Sequence, residues 1–318
     1  MPYTDAVTMG NSSASGTVSV PKNPARLGTF LWGVSAATGR RVLLAELGPA
    51  SASTVVAKKR AKIVAHLSMS HESLLLFCDP FVHAERTFLR CSFRADLGHC
   101  AHLLSAFYSE GLPESALRII LRATLNALEH LHSRGVIHRS VCAENIWLDS
   151  DGQIRLALTR HATRISDCPK WIGVEDRVHE FTSDLSEMVA WLAPEVLMQD
   201  LNGYGADSDI YSVGICLCEL ANGVVPFQEM EPLRILYEKL SGSAPVLLDS
   251  THCEGTECFG RRTFSKELHE LLGEVLEQRR PSATELLHKY ENSLFAFGPD
   301  FSLRKALADY LPLAKPIV

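Results

Sequence analysis

The sequence predicts an α+β fold in two parts, a small β-rich one followed by a larger helical one. Three observations carry this. Between Arg26 and Phe93, short apolar and β-branched runs alternate with turn signals, the mark of strands. After Gly98 the period changes, and Leu117, Leu121, Leu125 and Leu128 recur at the spacing of one helix face. The rest of the chain adds four further helical stretches. Strands first and helices after them form an α+β pattern, with a hinge expected near Ser92 to Gly98. A chain of 318 residues suffices for two lobes, each with its own core.

Taken in order, residues 1–24 are rich in Ser, Thr, Gly, Asn and Pro without periodicity and read as a disordered tail. Residues 25–95 form the first lobe. Strands are expected near 29–32, 41–44 and 73–77, with a turn at Thr38-Gly39-Arg40 and one helix-like stretch at 53–68. Residues 96–296 form the second lobe. Its first long helix runs to about His132, and Gly135 stands where a helix end favours a residue that tolerates positive φ. A strand pair is expected at 145–148 and 153–158 around an Asp151-Gly152 turn. A long irregular stretch then reaches Trp191, and helices follow at 208–222, 231–240, 265–277 and 282–291. Residues 297–318 read as a C-terminal tail.

Hydrophobic residues make up 46% and charged residues 21%, an ordinary globular balance. The net charge of -6 leaves no basic footprint, so no nucleic-acid partner is expected. The best apolar run, Tyr211 to Phe227, is interrupted by Glu219, Asn222 and Pro226, and no membrane span is expected. The N-terminus lacks a basic start and an apolar core, so no secretory signal is expected, and the location read by default is cytoplasmic, shared with the nucleus. Nine cysteines are scattered. Cys253 and Cys258 share a loop without a second ligand pair, which favours reduced thiols over a metal site.

One element carries chemistry. Val136-Ile137-His138-Arg139-Ser140-Val141-Cys142-Ala143-Glu144-Asn145 resembles the catalytic loop of protein kinases, His-Arg-Asp-Leu-x-x-x-Asn. Ala193-Pro194-Glu195, then Ser208-Asp209-Ile210-Tyr211-Ser212-Val213-Gly214, then Arg280-Pro281-Ser282 follow in the order in which a kinase C-lobe places its anchoring motifs. Four motifs in sequence, on matching elements, imply a bilobal protein-kinase-like fold. Phosphoryl transfer in that fold needs a base, a carboxylate for Mg²⁺, a phosphate lysine and a Gly-rich loop. Here the base position is Ser140, and losing a positioned base costs about 10²–10⁴ in rate. The metal motif reads Leu158-Thr159-Arg160, with no carboxylate and with a cation beside it. The lysine position is Ala45, and Gly28 alone remains of the Gly-rich loop. Gly28 and Asn145 are the vestigial nucleotide-side residues, Asn145 reading first as a loop-stabilising hydrogen bonder. Lys58 or Glu144 would have to stand in for a relocated group if the chain were a divergent active kinase. His138 is expected to pack under the loop. Asp209 is expected to accept backbone N–H bonds from it or to cap its own helix. Glu195 and Arg280 are expected to form a largely buried ion pair.

The stretch from Trp191 to Met230, with Gln199, Leu201, Gly203-Tyr204, Cys218-Glu219-Leu220-Ala221-Asn222-Gly223 and Val225-Pro226-Phe227, is similar to the STRAD pseudokinases, adaptors related to the sterile-twenty kinases. Weaker similarity covers about residues 25 to 296. The resemblance implies a non-catalytic activator that binds a serine/threonine kinase of the liver tumour-suppressor (LKB) type, completed by a helical-repeat scaffold of the MO-twenty-five type. It implies a partner surface on the segment from His161 to Trp191 and Tyr204, with the 231–240 helix beside it. It also implies ATP binding without magnesium or hydrolysis, and the expectation here is no cofactor and no metal. The chain departs from that family at Ala45, at Thr159 in the hydrophobic position of the metal motif, and in ending Leu313-Ala314-Lys315-Pro316-Ile317-Val318 where the family has Trp-Glu-Phe. A scaffold without regulatory effect is the remaining alternative.

Overall fold

The alternating runs pair into one antiparallel sheet. The computed structural model describes residues 18–19, 26–27, 30–35, 41–49, 71–75, 77–83, 85–91, 93, 95, 97–159, 161–168, 177–181, 183–199, 201–250, 262–298 and 301–307. Strands β1 (Val18–Ser19), β2 (Arg26–Leu27), β3 (Phe30–Ser35), β4 (Arg41–Pro49), β5 (Phe77–His83) and β6 (Arg86–Cys91) lie in the order β1-β3-β4-β6-β5, with β2 also on β3. Successive residues of a strand face opposite sides. Hence Leu44 buries with Leu31 and Phe88 on one face, while Leu43 joins Leu89 in the main core on the other.

Two details depart from the sequence reading. Val18–Ser19 lies within the span read as a tail, yet it pairs with Val34 and Ser35. Its Val-Ser-Val pattern suits a sheet edge. In the 73–77 run Leu74 makes an isolated bridge to Leu156, Phe77 opens β5, and the hairpin proper is β5–β6. Pro80 lacks the N–H that a regular ladder needs, and the register shifts between Cys78 and Pro80, which blurs the period-two signal. The 53–68 helix, Gly28, Lys58, Arg160, Cys253 and Cys258 lie outside the described residues.

The second part begins with β7 (Gly98–His99), α1 (Cys100–Phe107) and α2 (Glu114–His132), followed by β8 (Val136–Ile137), β9 (Ile146–Leu148), β10 (Ile154–Leu156) and β11 (Thr163–Arg164). Then come α3 (Pro194–Met198), α4 (Asp207–Asn222), α5 (Pro232–Leu240), α6 (Lys266–Leu276), α7 (Ala283–Lys289) and α8 (Leu303–Ala306). Leu117, Leu121, Leu125 and Leu128 are all buried on one side of α2. Gly135, with φ +67, takes the backbone back from its end. Helix α4 is buried on every side, as its apolar circumference requires, and forms the central post of the part. It ends at Gly223, φ +77, where a Cβ would stand 2.2 Å from the Ser109 carbonyl oxygen. Only glycine fits there.

The C-terminal span read as a tail is partly built in. Leu303 and Leu307 bury against the core, and the Arg118 guanidinium of α2 lies over the rings of Phe297 (5.6 Å) and Phe301 (5.9 Å). Four reduced thiols, Cys100, Cys142, Cys216 and Cys218, are buried around α4, and burial raises the pKa of each. Among the described residues no helix is long and apolar enough to cross a membrane.

Candidate functional site

Strand β8 delivers the chain into the loop 138–145, which the β9–β10 hairpin supports from below. Asp209 organises that loop. Its Oδ1 accepts the Arg139 N–H and its Oδ2 the His138 N–H, both at 2.8 Å, and His132 Nε2 lies 2.8 Å from Oδ2. Burial pushes the Asp209 carboxyl up, but these hydrogen bonds and the nearby histidines outweigh it and hold the group below its ordinary value. The capping alternative does not hold: the residue before α4 is Ala206, and Asp209 faces the loop. His138 is fully buried, with Nε2 2.9 Å from the Ala157 carbonyl and Nδ1 accepting the Ser140 N–H at 3.2 Å. It is a satisfied core histidine, and burial lowers its pKa.

Ser140, in the predicted base position, is 1% exposed, and its hydroxyl lies 2.6 Å from that of Thr159 and 3.3 Å from His138 Nδ1. Leu158, in the predicted metal position, is buried in the main core. Asn145 donates from Nδ2 to the Ser140 carbonyl (2.7 Å) and to Cys142 Sγ (3.3 Å), the loop-stabilising role read first. Ala45 sits mid-sheet, paired with Phe30 and Leu89. Glu144 is exposed. Arg139, at φ +60, turns back under the following segment. It donates to the His161 carbonyl, the Glu180 carbonyl (3.3 Å) and the Tyr204 hydroxyl (2.9 Å). The Tyr204 hydroxyl itself donates to the Glu180 carbonyl at 2.7 Å.

The expectation of Tyr204 as a contact residue is therefore corrected. Its side chain is fully buried, its ring packs on Phe181, and it holds the segment from beneath instead of meeting a partner. The Glu195–Arg280 pair is present and two-pronged, at 2.5 and 3.2 Å, with Arg280 3% and Glu195 25% exposed. It is half-buried on the glutamate side, and the Tyr211 ring lies 4.9 Å beneath the guanidinium.

The family profile of the protein kinase domain matches residues 40–290. The chain is 36% identical over 256 residues to STE20-related kinase adapter protein alpha of Bos taurus, a match covering 69% of this chain and 67% of that protein. The chain belongs to the STE20-related kinase adapter family. The family's Caenorhabditis elegans member is 34% identical over 235 residues (69% of this chain, 58% of that protein), and the human beta form 35% over 193 residues (61% and 45%). The chain thus spans between about half and two thirds of the length of these STE20-related kinase adapter relatives.

Within this member of the STE20-related kinase adapter family, two site residues escape sequence reading. Glu219 of α4 is 4% exposed and accepts the Ala143 N–H (3.0 Å) and the Trp191 indole N–H (2.8 Å). Burial pushes its carboxyl up to about 7. A lone acid inside the most apolar run of the chain was the available signal. Lys239 of α5 is 3% exposed, and nothing in an amphipathic helix sequence marks it as turned inward.

Proposed function

We propose that this chain is a catalytically inactive pseudokinase adaptor that binds a partner serine/threonine kinase and favours its active conformer by differential binding. The observation that carries the reading is the Ser140–Thr159 hydrogen bond beside buried Leu158. The base position is spent on Thr159, and the metal position on the core. The residues present do not fit a magnesium nucleotide: the Leu158 side chain offers no oxygen and Ala45 offers no amine. The relatives' names, kinase adapter proteins, support the same direction.

The partner surface lies on the segment from His161 to Trp191, where Ser166, Asp167, Ser186 and Glu187 are exposed among the described residues, together with α5. Leu233, Tyr237 and Leu240 are 81%, 66% and 47% exposed and recur at one helical face, which supports an apolar contact there. The partner is a kinase of the liver tumour-suppressor type, and the third component is a helical-repeat scaffold of the MO-twenty-five type. The test is reconstitution. The purified chain is added to that kinase domain with the scaffold, and peptide phosphorylation is followed. Stimulation is expected, and Leu233→Asp with Tyr237→Asp is expected to abolish it. Co-purification without stimulation would leave a scaffold. Phosphoryl transfer by the chain alone with ATP and Mg²⁺ would overturn the proposal in favour of a divergent kinase.

A further inference from the structure

Residues 189–192, just before the Ala193-Pro194-Glu195 turn, are held by buried polar groups at every carbonyl. Lys239 Nζ donates to the carbonyls of Val189 (3.0 Å), Ala190 (2.7 Å) and Leu192 (2.6 Å). The Ser212 hydroxyl takes the carbonyl between them, that of Trp191, at 2.9 Å. From the other side Glu219 holds the Trp191 indole and, through the Ala143 N–H, the loop 138–145. Among the described residues no carboxylate lies within ion-pair distance of Lys239. The rings of Tyr211 and Phe227 face its ammonium at 5.1 and 5.9 Å.

An ammonium taken out of water without a carboxylate is costly. Burial indeed lowers the Lys239 pKa to about 7, against the weaker opposing pull of Glu195. What the burial secures is the placement of four residues. Those residues join the segment from His161 to Trp191 to α3. The helix that supplies Lys239 carries Leu233, Tyr237 and Leu240 on its outward side.

We infer that Lys239 and Glu219 are positioning residues, which lock residues 189–192 to α5 on one side and to the loop 138–145 on the other, so that residues 189–192 and the α5 face meet a partner as one rigid unit. The inference rests on the docking reading above, and it assigns that surface its internal brace. Lys239→Met keeps the bulk and removes the donors, so three carbonyls lose their partner together.

Amide hydrogen exchange on the full chain, read by mass spectrometry, tests it. The amides of Trp191 and Leu192 both donate to the Met188 carbonyl and report on the turn directly. Lys239→Met is expected to speed exchange across residues 187–193 about tenfold while leaving the core of α2 unchanged. Binding to the kinase domain of the preceding assay is expected to weaken in parallel, and Lys239→Arg is expected to restore part of both. Trp191→Phe, which removes the indole N–H and the part of the ring that carries it, gives the same local signature where Lys239→Met fails to fold. Unchanged exchange at 187–193 in the folded variants would overturn the inference, as would a uniform rise over the whole chain. Faster local exchange with undiminished kinase binding would leave the brace standing and remove the docking reading.

Discussion

Two carboxylates on one helix show how differently burial can be resolved. Asp209 collects two backbone N–H groups and a histidine, and its role was legible because an acid three residues into a helix after a catalytic-type loop has few other uses. Asp209→Ala would strand two buried N–H groups, each worth about 1–3 kcal/mol. A loss of that order or more in urea unfolding is expected. Glu219 has fewer partners, and its pKa is pushed up to about 7 by burial, against the hydrogen bonds from Ala143 and Trp191. Between about pH 4.5 and 7 the folded chain keeps a proton that the unfolded chain has released. Stability from this group therefore falls as pH rises through that window and stays low above it. Glu219→Gln removes the dependence. Relative to the parent, the variant is expected to gain about 2–3 kcal/mol more at pH 8 than at pH 5, measured by urea melts at both pH values. Lys239 acts in the opposite sense. Its lowered pKa makes stability rise from about pH 7 towards the ordinary lysine range. Neither group was legible as a site, because sequence shows a charge and its neighbours in the chain, not the carbonyls and indole that the fold brings to it.

At the scale of elements, period and caps decided what could be read. Helices α2, α4, α5, α6 and α7 were legible to within a few residues. Their apolar stripes are long, and Ser265 and Ser282 cap α6 and α7. Leu125→Ala, in the fully buried stripe of α2, is expected to cost about 2–5 kcal/mol in chemical unfolding. The elements missed were short or irregular. Helix α1 spans eight residues with two of them Cys and His, β5 carries Pro80, and α8 is a single turn held by buried Leu303 and capped by Ser302. Tertiary contact, not local preference, makes each of them. The ion pair between α3 and the turn before α7 was legible from two distant motifs. Arg280→Met would leave Glu195 without its partner at a site only 25% exposed. A loss of roughly 3 kcal/mol is expected, with Glu195→Gln recovering part of it in the double variant.

For the whole molecule, the order of motifs carried the fold, and the family assignment agrees with it over residues 40–290. The functional reading depends on what is absent from those motifs, and here geometry added what spacing could not. Ser140 and Thr159 are not merely substituted but bonded to each other. Thermal melting with ATP alone and with ATP plus Mg²⁺ is expected to show no rise in Tm in either condition, since only a ligand that binds the folded state stabilises it. A rise that requires Mg²⁺ would return the chain to the enzymes. The four buried thiols around α4 have a consequence of their own. Only thiolates react readily with alkylating reagents, and Cys100, Cys142, Cys216 and Cys218 have neither solvent access nor an ordinary pKa while α4 stays packed. They are built-in clocks. Each becomes labelled only when the central post comes away from its neighbours, so the rate of modification, site by site, counts the openings of the molecule without any probe having been added to it.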